Sequence, residues 1–389
     1  MAPVTNPAPF RHQQYDTGPP TALYHVIAAE SPPVAGSDEF DDRMKQVGHT
    51  YKAAGVVEIC LAHGTFVGGD ATGLLGGISR VVPSLGETIH QLSKALVDGL
   101  AGDAGNFTEQ YVGELEAAIN RADGPHISVK RLLWSSENHH IGRADGAVRF
   151  LDELIRLKVK PNQRVLTWAH SHAGNVLALV TNLLCGDPAA AEQFFAASHS
   201  YYHYALRSGV SRDHWQRVEA AFKNSTQPTK RVALDVVTMG TPIRYAWHPA
   251  GYDRLLHFVH HRPAGDVPPY RAVFPPTLSD LRTAAGGDYV HSLGIAGTNL
   301  PPGVHTFHAW RADRQLARLL QPCFSKRKLL ERLKAGKRVA DAGTTLLVDY
   351  GQQLGGLARH IAGHAVYTRR EWMLFHAEEV ARRLYEEED

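Results

Sequence analysis

Cysteine is scarce in this chain: Cys60, Cys185 and Cys323 are widely spaced and odd in number among 389 residues, which speaks against a disulfide framework and against a cysteine-rich zinc site. Net charge is small as well, because 41 Lys and Arg against 39 Asp and Glu leave +2. So balanced a composition gives no general support for nucleic acid as a partner. Long apolar runs are also missing. No stretch approaches the roughly 18 uncharged apolar residues of a membrane span, so no integral membrane association is expected. Residues 1–24, rich in Pro, His and Gln, lack the basic-then-apolar order of a secretory signal. A flexible segment over 1–24 and a cytoplasmic location are the resulting expectations.

What is present is 43% hydrophobic residues in a chain long enough to bury a core without staples. Three β-branched apolar runs, 56–62, 164–169 and 232–239, each end in a turn containing Gly, Ser or Thr and predict buried parallel strands. Between the first two, the pattern predicts a helix over 87–100, a strand over 127–134 and an amphipathic helix over 143–158, whose Ala147, Phe150, Leu151, Leu154, Ile155 and Leu157 share one face. Further strands are expected at 289–296 and 344–348. This alternation predicts an α/β fold with a mainly parallel central sheet flanked by helices. Residues 25–389 read as one domain with insertions around 188–227, 255–287 and 309–338. The first, with Phe194, Phe195, Tyr201, Tyr202, Tyr204 and Trp215, is expected as a helical cap. The second is Pro-rich, and the third is basic and helical.

Chemistry concentrates in Val165-Leu-Thr-Trp-Ala-His-Ser-His-Ala-Gly-Asn-Val176, a strand running through a sharp turn at Ser171 into a helix over 175–184. A nucleophilic serine needs this geometry, since the turn exposes Oγ while small residues two positions either side, here Ala169 and Ala173, avoid a clash. The helix start adds N–H groups where negative charge would develop. The bland alternative is a serine that only caps the helix. The strand 56–62 runs into His63-Gly-Thr-Phe-Val-Gly-Gly-Asp70, a glycine-rich turn whose backbone can approach a ligand. Both phosphate-binding and dinucleotide-binding glycine patterns are absent from it. Paired with Ser171 it reads as half of an oxyanion hole, with the N–H of Thr65, or of Phe66 beside it, joining the N–H of His172.

The sequence resembles the α/β-hydrolase family, and within it the lipase and esterase group, through His63-Gly64-Thr65, Ala169-His-Ser-His-Ala-Gly-Asn175, Val237-Thr-Met-Gly-Thr-Pro242 and Gly363-His-Ala-Val366. Both glycines of the usual Gly-x-Ser-x-Gly are alanine here. The resemblance implies a serine hydrolase of carboxylic esters, small-molecule or lipid-like, that needs no cofactor or metal. It places the base on the loop after the last strand, which nominates His364 over His305, His308 and His376. The family's acid follows the preceding strand, where this chain has Asn299. Asp349, at the end of an apolar run, is therefore the expected acid, with Asp341 as the alternative. A thioesterase, amidase or acyltransferase would use the same residues. Asn299 and the two alanines also leave open a noncatalytic binding protein of the same fold.

Other histidine clusters carry plainer readings. His257, His260 and His261 have a spacing that shares one helix face, but no His-Glu-x-x-His accompanies them, so packing or surface roles are expected before zinc. His139 and His140 follow a strand end, where lining a substrate is an alternative use. The basic run 326–337 reads as a solvated helix face.

Overall fold

The computed structural model describes residues 9–15, 18–64, 105–157, 159–204, 212–224, 232–273, 275, 277–294, 299–322, 338–353 and 360–386. The expected helix 87–100, the loop residues Thr65 and Phe66, and the basic run 326–337 lie outside them.

Seven strands form one all-parallel sheet: β1 (Tyr24–Ala28), β2 (Val56–Ala62), β3 (Ser128–Leu132), β4 (Arg164–His170), β5 (Ala233–Met239), β6 (Arg254–His260) and β7 (Thr344–Asp349). Their order is β1-β7-β6-β5-β4-β2-β3. Side chains alternate across each strand. Cys60, Ala62, Val165, Ala169, Leu234 and Val236 join the core on one face, while Ile59, Leu61, Leu166, Trp168, Val237 and Met239 join the other. Two buried faces explain why these runs are apolar throughout rather than alternating.

Helices cover both faces. On one lie α1 (Asp38–Ala53), α2 (Glu109–Ile119) and a C-terminal helix (Met373–Leu384). On the other lie α3 (His140–Arg156) and α4 (Ala173–Leu184), with α5 (Pro188–His203) and α6 (Asp213–Lys223) packed outside them. Helices α5 and α6 fill the expected first insertion. Phe194 and Tyr202 stack on Trp215 there, and the Trp215 indole donates to the buried Asp145 of α3 at 2.7 Å. Short helices α7 (Leu278–Thr283) and α8 (Tyr289–Gly294) precede a longer α9 (Phe307–Leu320), and the C-terminal helix is α10. No helix among the described residues is long and apolar enough to cross a membrane.

Three expectations change. The segment 289–296 is not a strand; α8 occupies its start. The strand in that place of the sheet is β6, inside what read as a Pro-rich insertion. Its sequence, Arg-Leu-Leu-His-Phe-Val-His, hides a buried strand because both histidines are neutral and hydrogen-bonded. His257 bonds Thr238 Oγ1 at 2.6 Å and the Ala342 carbonyl at 2.8 Å, and His260 Nδ1 bonds the Gly363 carbonyl at 3.0 Å. Lastly, part of the N-terminal segment is tied down: Phe10 is buried beside Phe194, and the Arg11 N–H donates to Asn182 Oδ1.

The chain steps outward from β2 to β3, then β4 pairs on the other side of β2 and later strands continue in that direction. Such a reversal puts a switch point at the carboxyl ends of β2 and β4, the usual ligand position in an open parallel sheet. Here those ends are His63-Gly64 and Ser171.

Candidate active site

Strand β4 delivers Ser171 in a left-handed conformation, φ 55°, which for a residue with a Cβ costs about 1–3 kcal/mol and persists only where its surroundings over-determine it. They do so here. The Ser171 N–H continues the sheet ladder to the Met239 carbonyl at 2.8 Å, and the Ser171 carbonyl accepts from Thr241 Oγ1 at 2.7 Å and from the Gly174 N–H at 3.1 Å. Ala169 and Ala173 are wholly buried on either side. From β2, Gly64 comes so close that a Cβ there would stand 2.7 Å from Ser171 Cβ and 3.3 Å from Oγ. Glycine is thus required at position 64 for the loop after β2 to lie against the serine. Ser171 Oγ is buried and makes no hydrogen bond among the described residues.

The loops after β6 and β7 supply a second pair. The backbone at Ile361, Ala362 and Gly363 is left-handed at three successive residues, turning the chain sharply into His364. The Tyr289 N–H donates to the Ala362 carbonyl, and the Asp288 N–H to the His260 carbonyl, each at 3.0 Å. This lashing brings His364 Nδ1 to 2.7 Å from Asp288 Oδ2, with both side chains at most 1% exposed. Burial alone would raise the Asp288 pKa. The His364 charge and hydrogen bond, aided by His291, overcome it and hold the carboxyl well below its ordinary range. An ionised Asp288 accepts only, so His364 Nδ1 is the donor in either protonation state, and it is in the neutral imidazole that Nε2 carries the lone pair.

Histidines flank the serine without adding charge. His170 lies 4.6 Å from His364 ring to ring, and its Nε2–H donates to the His364 carbonyl at 3.1 Å. Burial, then the His364 charge, push its pKa down to about 3. His172 is held well below the ordinary imidazole value by burial and by the Arg143 and Arg244 guanidiniums. On the other side His63 stacks on Trp134, whose Nε1–H donates to the His63 carbonyl at 2.9 Å.

The structure brings Ser171, His172 and His364 into one region but leaves Asp349 out of it. Asp349 Oδ1 accepts from the Gly351 N–H at 2.8 Å and lies 3.6 Å from Arg262 Nε, so its work is turn-making at the sheet edge. Asp341 is exposed and accepts from Gln13 Nε2. Asn299 accepts from the buried Arg143 and donates to Asp313, part of a structural polar cluster. The carboxylate beside His364 is Asp288, which sequence reasoning passed over because the segment after it read as a strand. The signal was Gly286-Gly287-Asp288, a turn following β6 once His257 and His260 are counted as core residues.

Four further histidines have structural surroundings. His139 Nδ1 caps α3 by accepting from the Gly142 N–H, and His140 bonds the Tyr245 hydroxyl at 2.7 Å. His376 is buried in α10 against the Tyr350 hydroxyl, and His308 is exposed on α9, stacked with Tyr204. Among the described residues no three His, Cys, Asp or Glu side chains are grouped to hold a metal ion. No family model, curated protein or solved structure matches this chain.

Proposed function

We propose that this protein is a serine hydrolase of the α/β-hydrolase type that cleaves carboxylic esters through an acyl-enzyme. One observation carries the reading: a strained serine on the turn after β4 lies in the same region as a buried His–Asp pair from the loops after β7 and β6, with His170, next to the serine, 4.6 Å from His364 ring to ring. The chain order Ser171, Asp288, His364 is the order of an α/β-hydrolase triad.

In this reading Ser171 Oγ bonds to the ester carbonyl carbon while its proton passes to His364 Nε2. Asp288, fixed on Nδ1, stabilises the imidazolium and keeps the productive tautomer. The oxyanion faces the His172 N–H at the start of α4 and the loop that Gly64 presses against the serine, where Thr65 is the proposed second donor. The C–O bond to the alcohol breaks as Nε2 returns the proton. Water, deprotonated by His364, then attacks the acyl-enzyme, releases the acid and restores the Ser171 hydroxyl.

A fluorophosphonate probe should label Ser171 and nothing else at comparable rate. Ser171→Ala should abolish labelling and lower kcat on p-nitrophenyl esters by about five to six orders of magnitude with the melt unchanged. Labelling that survives in Ser171→Ala, or more than about a tenth of the activity retained, would reject the assignment.

A further inference from the structure

We infer that Tyr367 is a positioning residue for the Asp288–His364 pair, its hydroxyl sharing Asp288 Oδ2 with His364 and so limiting how much of the carboxylate's charge reaches the imidazole. The inference rests on the hydrolase reading above for its kinetic consequence, though not for its geometry.

The direction of every bond follows from what each atom can do. The His260 backbone N–H donates to the Tyr367 oxygen at 2.7 Å, so the phenol proton points elsewhere, and Asp288 Oδ2 lies 2.9 Å away. His364 Nδ1 reaches the same oxygen at 2.7 Å, while Oδ1 takes the His291 N–H at 2.8 Å. Two donors thus compete for Oδ2. Tyr367 sits on the helical turn Ala365–Thr368, three residues past His364, so one loop supplies both donors. Its ring is wholly buried, and burial followed by the Asp288 charge keeps the phenol well above its ordinary pKa and therefore a neutral donor.

Gly240, at the end of β5 with φ 60°, accommodates the arrangement. A Cβ there would stand 2.5 Å from the Tyr367 ring and 2.7 Å from Asp288 Oδ2. The strand end is therefore cut back to admit both groups. The other groups facing the pair are His170 and His172 beside the serine, His260 on β6, His291 on α8, Tyr350 after β7, and Arg338. Burial holds these four imidazoles below their ordinary values and Tyr350 well above its own, and Arg338 stays cationic, its pKa brought down by burial only to about 10. The imidazole and phenol shifts run away from neutral pH and Arg338 stays well above it, so the charges of these groups interfere least with the pair at about pH 7–8.

The test compares Tyr367→Phe with 3-fluorotyrosine placed at 367, which keeps both hydrogen bonds but donates more strongly. The readouts are the low-field proton resonance of His364 Nδ1–H, identified by its loss in Asp288→Asn, and kcat and KM on p-nitrophenyl esters. Phenylalanine removes the competitor, so the pH midpoint of that resonance should rise by about 0.5–1 pH unit, and 3-fluorotyrosine should lower it. In Tyr367→Phe, kcat should fall about three- to tenfold below the midpoint, where the raised midpoint depletes neutral imidazole, and stay near wild type well above it, with KM within about twofold. A residue that merely packs would lower the melting temperature and leave the midpoint where it was. Unmoved midpoints, or movement in the same direction in both variants, overturn the inference. If Tyr367→Phe does not fold, the 3-fluorotyrosine midpoint decides alone. If the wild-type protein hydrolyses no ester, the hydrolase reading fails, while the resonance still decides the role of Tyr367.

Discussion

Asp349 ends β7 and Asp288 stands against the end of β6, its N–H bonded to the His260 carbonyl, and their surroundings separate them. Asp288 is wholly buried, bonded by His364, Tyr367 and the His291 N–H. Asp349 keeps 29% of its side chain exposed and serves the Gly351 turn. A carboxylate that fixes the tautomer of a general base can be worth about ten-thousand-fold in kcat. Asp288→Asn should therefore lower ester kcat by at least about a thousandfold, and Asp349→Asn should stay within about threefold, each variant being paired with a thermal melt. The reverse ranking in two folded variants would return the acid to Asp349. The turn position of Ser171 after a buried strand and the loop position of His364 after the last strand were readable from their flanking patterns. Asp288 was not, because its selection depends on a 76-residue separation closed by backbone contacts between loops.

At the scale of elements, β2, β4 and β5 announced themselves through unbroken apolar runs, since each is buried on both faces. Strand β6 did not, because a neutral buried histidine packs like an apolar residue yet counts as polar in any pattern. Missing β6 displaced the next strand by one, and with it the search for the carboxylate that meets His364. The turn after β5 is where element geometry and site meet, and Gly240 tests the link. Gly240→Ala adds about 1–3 kcal/mol of left-handed strain and a comparable overpacking cost against Tyr367 and Asp288. A destabilisation of about 2–6 kcal/mol in urea unfolding is expected, with a fall in kcat. Gly186 is the control, having φ 81° but no atom within 4 Å of the place a Cβ would take. Gly186→Ala should cost only about 1 kcal/mol and leave kcat alone. Equal losses in the two variants would mean that backbone strain, not the contact with the pair, sets the requirement at 240.

Across the whole molecule, imidazoles are used as core groups on both sides of the sheet, and this couples folding to acid. His170 on β4, His257 and His260 on β6 and His376 on α10 are each at most 2% exposed. Burial is the leading cause that lowers all four, to about 3 for His170 and His376 and about 4 for His257 and His260. In the unfolded chain each would take up a proton near pH 6.5. Between that value and the folded ones the unfolded state binds more protons, so stability rises with pH across this window and is lost as pH falls through it. Each group contributes a slope of about 1.4 kcal/mol per pH unit, and four acting together approach about 5 kcal/mol per unit, against a total stability of about 5–15 kcal/mol for a folded domain. The depressed carboxyl of Asp288 acts in the same direction, but only below about pH 4, the unfolded aspartate value. The histidines therefore set the outcome first. Melting temperatures should be level from about pH 8 to 7, fall steeply below about pH 6, and give way to cooperative unfolding at room temperature between about pH 5.5 and 4. Proton uptake on urea unfolding at about pH 5.5 should be at least about four per molecule, since other buried histidines such as His172 and His140 are lowered too, and should vanish at about pH 8. A melting temperature unchanged between about pH 7 and 5 would mean that these imidazoles gain protons in the folded state, and that the polar interior around β6 is open to water.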